Sequence, residues 1–197
     1  MDSAEKKRRM ALPPLEEIEA ELQRLQSRKS YNRALRSTIY TLVVVAAAAV
    51  LVAMLYLPVM KVSGTSMEPN LNMDDVIVGV KTGTFNTGEV CCFYYNNKML
   101  LKRVIANAGD WVNIDDEGYV CVNGTLIDEP YVQDRSLGIC DIEFPYQVPD
   151  GQVFVLGDHR STSVDSRSSV IGCISVDEIV GKILLRIWPL KDIGFVK

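Results

Sequence analysis

One feature limits this chain more than any other. Between Arg36 and Lys61 there is no charged residue, and Leu42–Leu57 holds only aliphatic residues, Ala, one Met and one Tyr. A bilayer core of ~30 Å is crossed by a helix of about 20 apolar residues, and this run supplies that length. A buried core helix would show a polar face, which the run lacks. A cleaved secretory signal has an apolar region of only ~7–15 residues, and no long charged segment stands before it. The run therefore predicts a retained single transmembrane helix over 37–60.

Charge sets the orientation. Residues 1–36 carry nine Lys/Arg and six Asp/Glu, a net charge of +3, while 61–197 carry a net charge of −7. Arg33 and Arg36 stand directly before the span, with Lys6–Arg9 further back, whereas Lys61 stands alone after it. The Lys/Arg bias predicts a cytoplasmic tail over 1–36 in the cell membrane and an extracytoplasmic domain over 61–197. That acidic domain offers no basic surface to nucleic acid. The expected partners are the lipid bilayer and a protein substrate, and the chain is expected to act as a monomer. Cys91, Cys92, Cys121, Cys140 and Cys173 form no CxxC pair, which argues against a zinc site. Some could pair outside the cytoplasm, but an odd count leaves at least one free. Small buried apolar residues are the simpler reading of them.

Residues 1–11 read as a charged, disordered lead. After Pro13-Pro14, Leu15, Ile18, Leu22 and Leu25 recur at helical spacing, predicting a short amphipathic helix. Beyond the span the period changes. Short β runs at Val76–Val80, Val90–Tyr95, Lys98–Ile105, Trp111–Ile114, Tyr119–Val122, Gln152–Leu156 and Val180–Ile187 alternate with turn residues, including Asn96-Asn97 and Asn123-Gly124. They predict a mainly β fold, an antiparallel β-sandwich or barrel. Residues 128–147, rich in turn residues, read as an insertion or long loop.

Three stretches suit chemistry better than plain strands. Ser63–Leu71 combines small hydroxyl residues with Gly64 and Pro69, a loop able to expose a hydroxyl and aim backbone N–H groups at an oxygen. Taken alone it could be any turn. Lys102 lies inside the apolar strand Leu100–Ile105; such a lysine either reaches solvent or is desolvated, and desolvation lowers its pKa toward that of a general base. Gly157–Ser169 is a polar run directly after an apolar strand, and its Asp and Arg residues suggest an ordered loop.

In this order, behind one N-terminal span, the stretches resemble bacterial type I signal peptidases, the leader peptidases of the Ser–Lys serine protease family. The resemblance covers about Met60 to Pro189. It is carried by Gly64–Leu71, by Lys102–Ile105 with Gly109-Asp110, and by Gly157–Arg160 followed by Ser163–Arg167. It implies an endopeptidase that removes signal peptides from exported preproteins after small residues of the Ala-x-Ala type, with no cofactor and no metal. Ser66 would be the nucleophile and Lys102 its general base. The Ser66 N–H would be one oxyanion donor. Some relatives add a hydroxyl two residues earlier, where this chain has Gly64. Ser163 would orient Lys102, and Asp165 and Arg167 would pair to brace the loop, with Arg103 and Asp158 as further structural support. Asn70, Ala108 and His159 depart from the family's usual Thr, Pro and Asn. With five residues between Met60 and Ser66, a reach of at most about 20 Å, Ser66 is expected near the membrane surface. Two shallow apolar pockets are expected beside it, with substrate extended along a strand edge. Rival readings are a Ser–His hydrolase using His159 and Asp158, and a non-enzymatic assembly factor. A β-lactamase-type Ser-x-x-Lys is excluded by Pro69, and a sortase lacks a suitable cysteine.

Overall fold

A computed structural model describes residues 14–196; the charged lead over 1–11, with Lys6–Arg9, lies outside the described residues. The chain divides after Val52 into two units. The first is helical. Helix α1 runs unbroken from Leu15 to Tyr56, with Glu16 and Glu17 in its first turn, where acidic groups suit the helix dipole. It buries none of its residues and is long and apolar enough to cross a membrane.

Sequence patterning separated an amphipathic helix from a span ending at Met60, whereas the helix is continuous and ends at Tyr56. Pro58 stops it: the ring fixes φ and restricts the preceding residue, so the chain turns into an extended segment. Val59 and Met60 continue the apolar run but belong to strand β1 (Val59–Lys61). Nine residues, not five, then separate the helix from Ser66, and the extended reach rises to about 35 Å.

The second unit is built of antiparallel strands in two sheets. Beyond β1, the strands are β2 (Val76–Val80), β3 (Val90–Tyr95), β4 (Lys98–Asn107), β5 (Trp111–Ile114), β6 (Val120–Val122), β7 (Thr125–Leu126), β8 (Tyr146–Gln147), β9 (Gln152–Leu156), β10 (Ile174–Ser175), β11 (Ile179–Trp188) and β12 (Gly194–Phe195). The larger sheet has the order β1-β2-β11-β3-β4-β9-β10, with β12 also pairing β11. The smaller has the order β7-β6-β5-β8. The β3–β4 hairpin turns at Asn96 and Asn97, both at positive φ, and the β6–β7 hairpin turns at Asn123 and Gly124. Asn and Gly tolerate that region best, which is why these dipeptides mark the turns.

Alternation along the strands feeds three apolar clusters. In β3, Val90 and Cys92 enter one cluster with Met67, Leu71, Ile77, Leu101 and Ile183, while Cys91 and Phe93 enter another with Val104, Val153 and Val155. In β9, Phe154 and Leu156 point instead into the third cluster, with Ile105 and Ala106 of β4 and Val112, Ile114 and Val120 of the smaller sheet. A register shift between Val104 and Ala106 lets β4 serve more than one cluster. The larger sheet is thus covered on both faces, and β4 is buried along its second half. Residues 127–145 contain no regular strand or helix, yet Glu129 and Val132 within them are buried.

Phe154 is fully buried and its ring lies 6.1 Å from that of Tyr146. Phe154→Ala is expected to destabilise the β unit by about 3–5 kcal/mol, read as a lowered denaturation midpoint with little change in slope.

Candidate active site

The Ser66 loop is closed at its base by Val62 N–H to Asp75 C=O (2.8 Å) and Asp74 N–H to Val62 C=O (3.0 Å). Val62, Met67 and Leu71 plunge into the first apolar cluster and pin the loop from beneath. Gly64 takes φ +107°, a conformation that side-chain-bearing residues rarely adopt, so a hydroxyl residue there would be strained. Ser66 stays half-buried. Its C=O accepts the His159 N–H at 3.0 Å, while its own N–H makes no hydrogen bond among the described residues.

Three segments converge on Gly157. A Cβ there would lie 2.2 Å from Ser163 Oγ and 2.6 Å from Ser66 C=O, so only glycine lets the Ser66 loop, strand β9 and Ser163 approach this closely. Lys102, in the middle of β4, reaches the same place from the sheet. It is 3 % exposed and donates from Nζ to Ser163 Oγ at 2.9 Å. Lys102 makes no hydrogen bond to Ser66 among the described residues. Burial pushes Lys102 down to about 8; Asp165 opposes that shift and Arg167 adds to it.

Around Lys102 and Ser163 stand three buried arginine–carboxylate pairs. Arg103 grips Asp158 with Nε (2.8 Å) and Nη2 (2.6 Å), donates to Gly88 C=O, and lies 3.9 Å over the Tyr131 ring. Arg167 grips Asp165 with Nε (2.8 Å) and Nη2 (2.9 Å) and also donates to the Ser136, Leu137 and Arg160 carbonyls. Arg160 pairs with Glu129 and donates Nε to Gly157 C=O at 3.0 Å. Asp165 accepts the Gly157 N–H as well (2.9 Å). The two-pronged geometry matches guanidinium to carboxylate and fixes direction as well as distance.

The residues singled out in the sequence fall at one place, and Gly64 lies in the Ser66 loop with no side-chain hydroxyl to donate. Arg160, Glu129 and Tyr131 had no role assigned from sequence. Arg160 stood within a recognised stretch; Glu129 sits in an irregular segment whose pattern carries no signal. Asn70 also does more than substitute for Thr, since its amide donates to both Asp158 Oδ2 and Tyr131 C=O at 2.8 Å. A Ser–His–Asp arrangement is absent among the described residues: Asp158 is taken by Arg103 and Asn70, and His159 Nδ1 is buried without a partner. No group of three or more His, Cys, Asp or Glu that could hold a metal occurs among them either. All five cysteines are unpaired. Burial pushes the Cys91 thiol up to about 12 and Cys92 up to about 11, which makes poor nucleophiles of both.

A cavity of about 530 Å³ opens beside Ser66. Ser63, Gly64, Ser66 and Met67 line one side and Lys98–Leu101 of β4 the other. A half-buried hydroxyl, a desolvated amine and an adjoining cleft between the Ser66 loop and β4 form a site suited to acyl transfer on a peptide.

Residues 35–188 match the family described as signal peptidase, peptidase S26. This chain belongs to that family. It is 36% identical over 151 residues to signal peptidase IB of Staphylococcus aureus (strain COL), covering 66% of this chain and 78% of the relative. It is 32% identical over 150 residues to signal peptidase I of Bacillus caldolyticus, covering 68% and 81%. Among solved structures, a signal peptidase I from Enterococcus faecalis V583 aligns with 26% identity and a TM-score of 0.41, over 50% of this chain and 95% of that one. As a member of the S26 family the chain is a serine endopeptidase.

Gly157→Ala in this peptidase is expected to leave the β sheets folded but to push Ser66 and Ser163 apart. Circular dichroism should stay native-like while peptidase activity falls at least a hundredfold, since a misplacement near 1 Å can cost ~10²-fold.

Proposed function

We propose that this peptidase is anchored in the cell membrane by α1 and removes N-terminal signal peptides from exported preproteins, using Ser66 as nucleophile and Lys102 as general base. The observation that carries the reading is Lys102 itself: a lysine 3 % exposed, bound to a hydroxyl rather than a carboxylate, and lowered to about 8. At pH 7 about a tenth of such lysines are neutral, about 300-fold more than for a lysine at its ordinary 10.5. A serine hydroxyl is a weak nucleophile until a base of this kind stands beside it.

Ser66 Oγ attacks the scissile carbonyl as its proton passes to Lys102 Nζ. The Ser66 N–H, free of internal partners, faces the negative charge that develops on the carbonyl oxygen. The C–N bond breaks as the Lys102 ammonium returns the proton to the leaving amine, which departs as the N-terminus of the mature protein. Lys102, neutral again, takes a proton from water; the resulting hydroxide adds to the ester carbonyl, and the acyl C–O bond to Ser66 Oγ breaks as Lys102 returns that proton to Oγ, freeing the signal peptide as a carboxylic acid. Ser163 holds Nζ on this line through its 2.9 Å hydrogen bond. The direct Ser66–Lys102 hydrogen bond forms as substrate expels water, since catalytic bonds are often loose before substrate binds.

The cleft beside Ser66 supports a peptide held extended between residues 60–64 and β4, with its small side chains facing the apolar lining and Ala at the cut and two residues before it. With Arg33 and Arg36 directly before the apolar run and Lys61 alone after it, the same reading has the tail in the cytoplasm and the protease outside. The division into a tail (1–36), an anchor and a protease domain belongs to this proposal, with the anchor's helix ending at Tyr56.

Detergent-solubilised protein incubated with a preprotein bearing an Ala-x-Ala site tests it. Cleavage after the final Ala is expected, lost by more than 10³-fold in both Ser66→Ala and Lys102→Met. Because the base works neutral, kcat/KM should rise with pH and reach half its plateau near about 8. Cleavage that survives Lys102→Met, or a limb centred near 6 to 7, would rule out the lysine base.

A further inference from the structure

The cavity beside Ser66 accounts for only half of a peptide substrate. The part of the chain after the scissile bond must leave the nucleophile elsewhere. A second cavity, of about 230 Å³, is lined by Glu68, Pro69, Gln133, Asp134, Asp158 and His159. It shares no lining residue with the first, begins two residues beyond Ser66, and includes the residue whose N–H holds the Ser66 carbonyl.

Its far wall comes from the irregular segment over 127–145, and that wall is anchored from three directions. Glu129 is buried in its pair with Arg160, Tyr131 C=O accepts the Asn70 amide at 2.8 Å, and the Tyr131 ring lies beneath Arg103. Val132 is buried, so Gln133 and Asp134, the next two residues, are held outward at the cavity. Nothing in the acyl-transfer chemistry requires the Arg160–Glu129 pair, yet it is among the most deeply buried in the molecule. Positioning this wall gives it a use.

The charge of the cavity is one-sided. Asp158 is neutralised by Arg103 and carries a further bond from Asn70. Glu68 and Asp134 have no ion pair among the described residues. Arg135, the nearest cation in sequence, is turned to the Tyr119 ring, 5.0 Å from its centroid.

We infer that this cavity receives the first residues of the mature protein, those just after the cut, and that Glu68 and Asp134 make it select against acidic and in favour of basic side chains there. The inference rests on the Ser66–Lys102 reading and assigns the 127–145 segment the role of a specificity wall. His159, where the family usually has Asn, completes the wall next to the nucleophile.

The test uses full-length protein in detergent at low ionic strength. Three preproteins are compared, identical through the Ala-x-Ala site and differing only in the second residue after it: Lys, Gln or Glu. The readout is the ratio of kcat/KM for the Lys and Glu substrates, which does not depend on how much of a variant is folded. Exposed charge pairs are weak, so a ratio of about five is expected for the unmodified enzyme, shrinking as salt is added. The ratio should approach one in the Glu68→Gln, Asp134→Asn double variant and invert in the Glu68→Gln, Asp134→Lys double variant. A ratio that is one throughout, or that is the same in all three enzymes, overturns the inference while leaving the peptidase reading intact. Failure of the folded enzyme to cut any of the three would defeat the Ser66–Lys102 reading itself, and this inference with it.

Discussion

Three arginines buried to the last few per cent, Arg103, Arg160 and Arg167, hold the loop after β9 in place, and the site depends on that arrangement. Buried ion pairs contribute little net stability, because desolvating two charges cancels most of their attraction. Their value lies in direction. Each guanidinium grips a carboxylate with two prongs or reaches several carbonyls, so the loop can settle in one way only. Arg103 ties it to β4, Arg160 to residue 129, and Arg167 to residues 136 and 137. Gly157, at the centre, donates its N–H to Asp165 and accepts from Arg160, and lacks the side chain that would keep Ser66 and Ser163 away.

Two of these pairs, Arg103–Asp158 and Arg167–Asp165, settle the electrostatics of Lys102. Two carboxylates, Asp158 and Asp165, lie close enough to raise its pKa. A free carboxylate against a buried ammonium would keep the lysine charged and useless as a base. Arg103 and Arg167 engage those carboxylates instead, and Lys102 is left with a neutral hydroxyl as its partner. Burial then outweighs attraction. Removing Arg167 would therefore do two kinds of damage, loosening the loop and returning Lys102 toward its cationic form.

Much of the fold is legible in residue pattern, and the limits of that legibility are physical. Strands β3, β5 and β9 coincide with their apolar runs because each is bounded by turn residues and alternates between clusters. Strand β1 was hidden, since Val59 and Met60 extend the apolar run of α1 and only Pro58 marks the change. Strands β7, β8, β10 and β12 have two residues each, too few for a period to register. In the site, Lys102 alone is ambiguous between a surface and a buried lysine; its strand cannot say which face is covered. Ser163 came only from resemblance, because one serine in a serine-rich loop has no distinguishing pattern. The Arg160–Glu129 pair joins residues 31 apart in sequence, one of them in an irregular segment, and left no trace in local sequence at all.

The fold keeps Lys102 desolvated and lowers its pKa far enough for a working fraction of it to be neutral near pH 7. The most direct measurement is an NMR titration of the full chain in detergent micelles, with 13C at the lysine ε carbon and Lys102 assigned from its Lys102→Met spectrum. One lysine should titrate at about 8, well apart from the others. A Lys102 signal that titrates with the rest, near the ordinary 10.5, would contradict it.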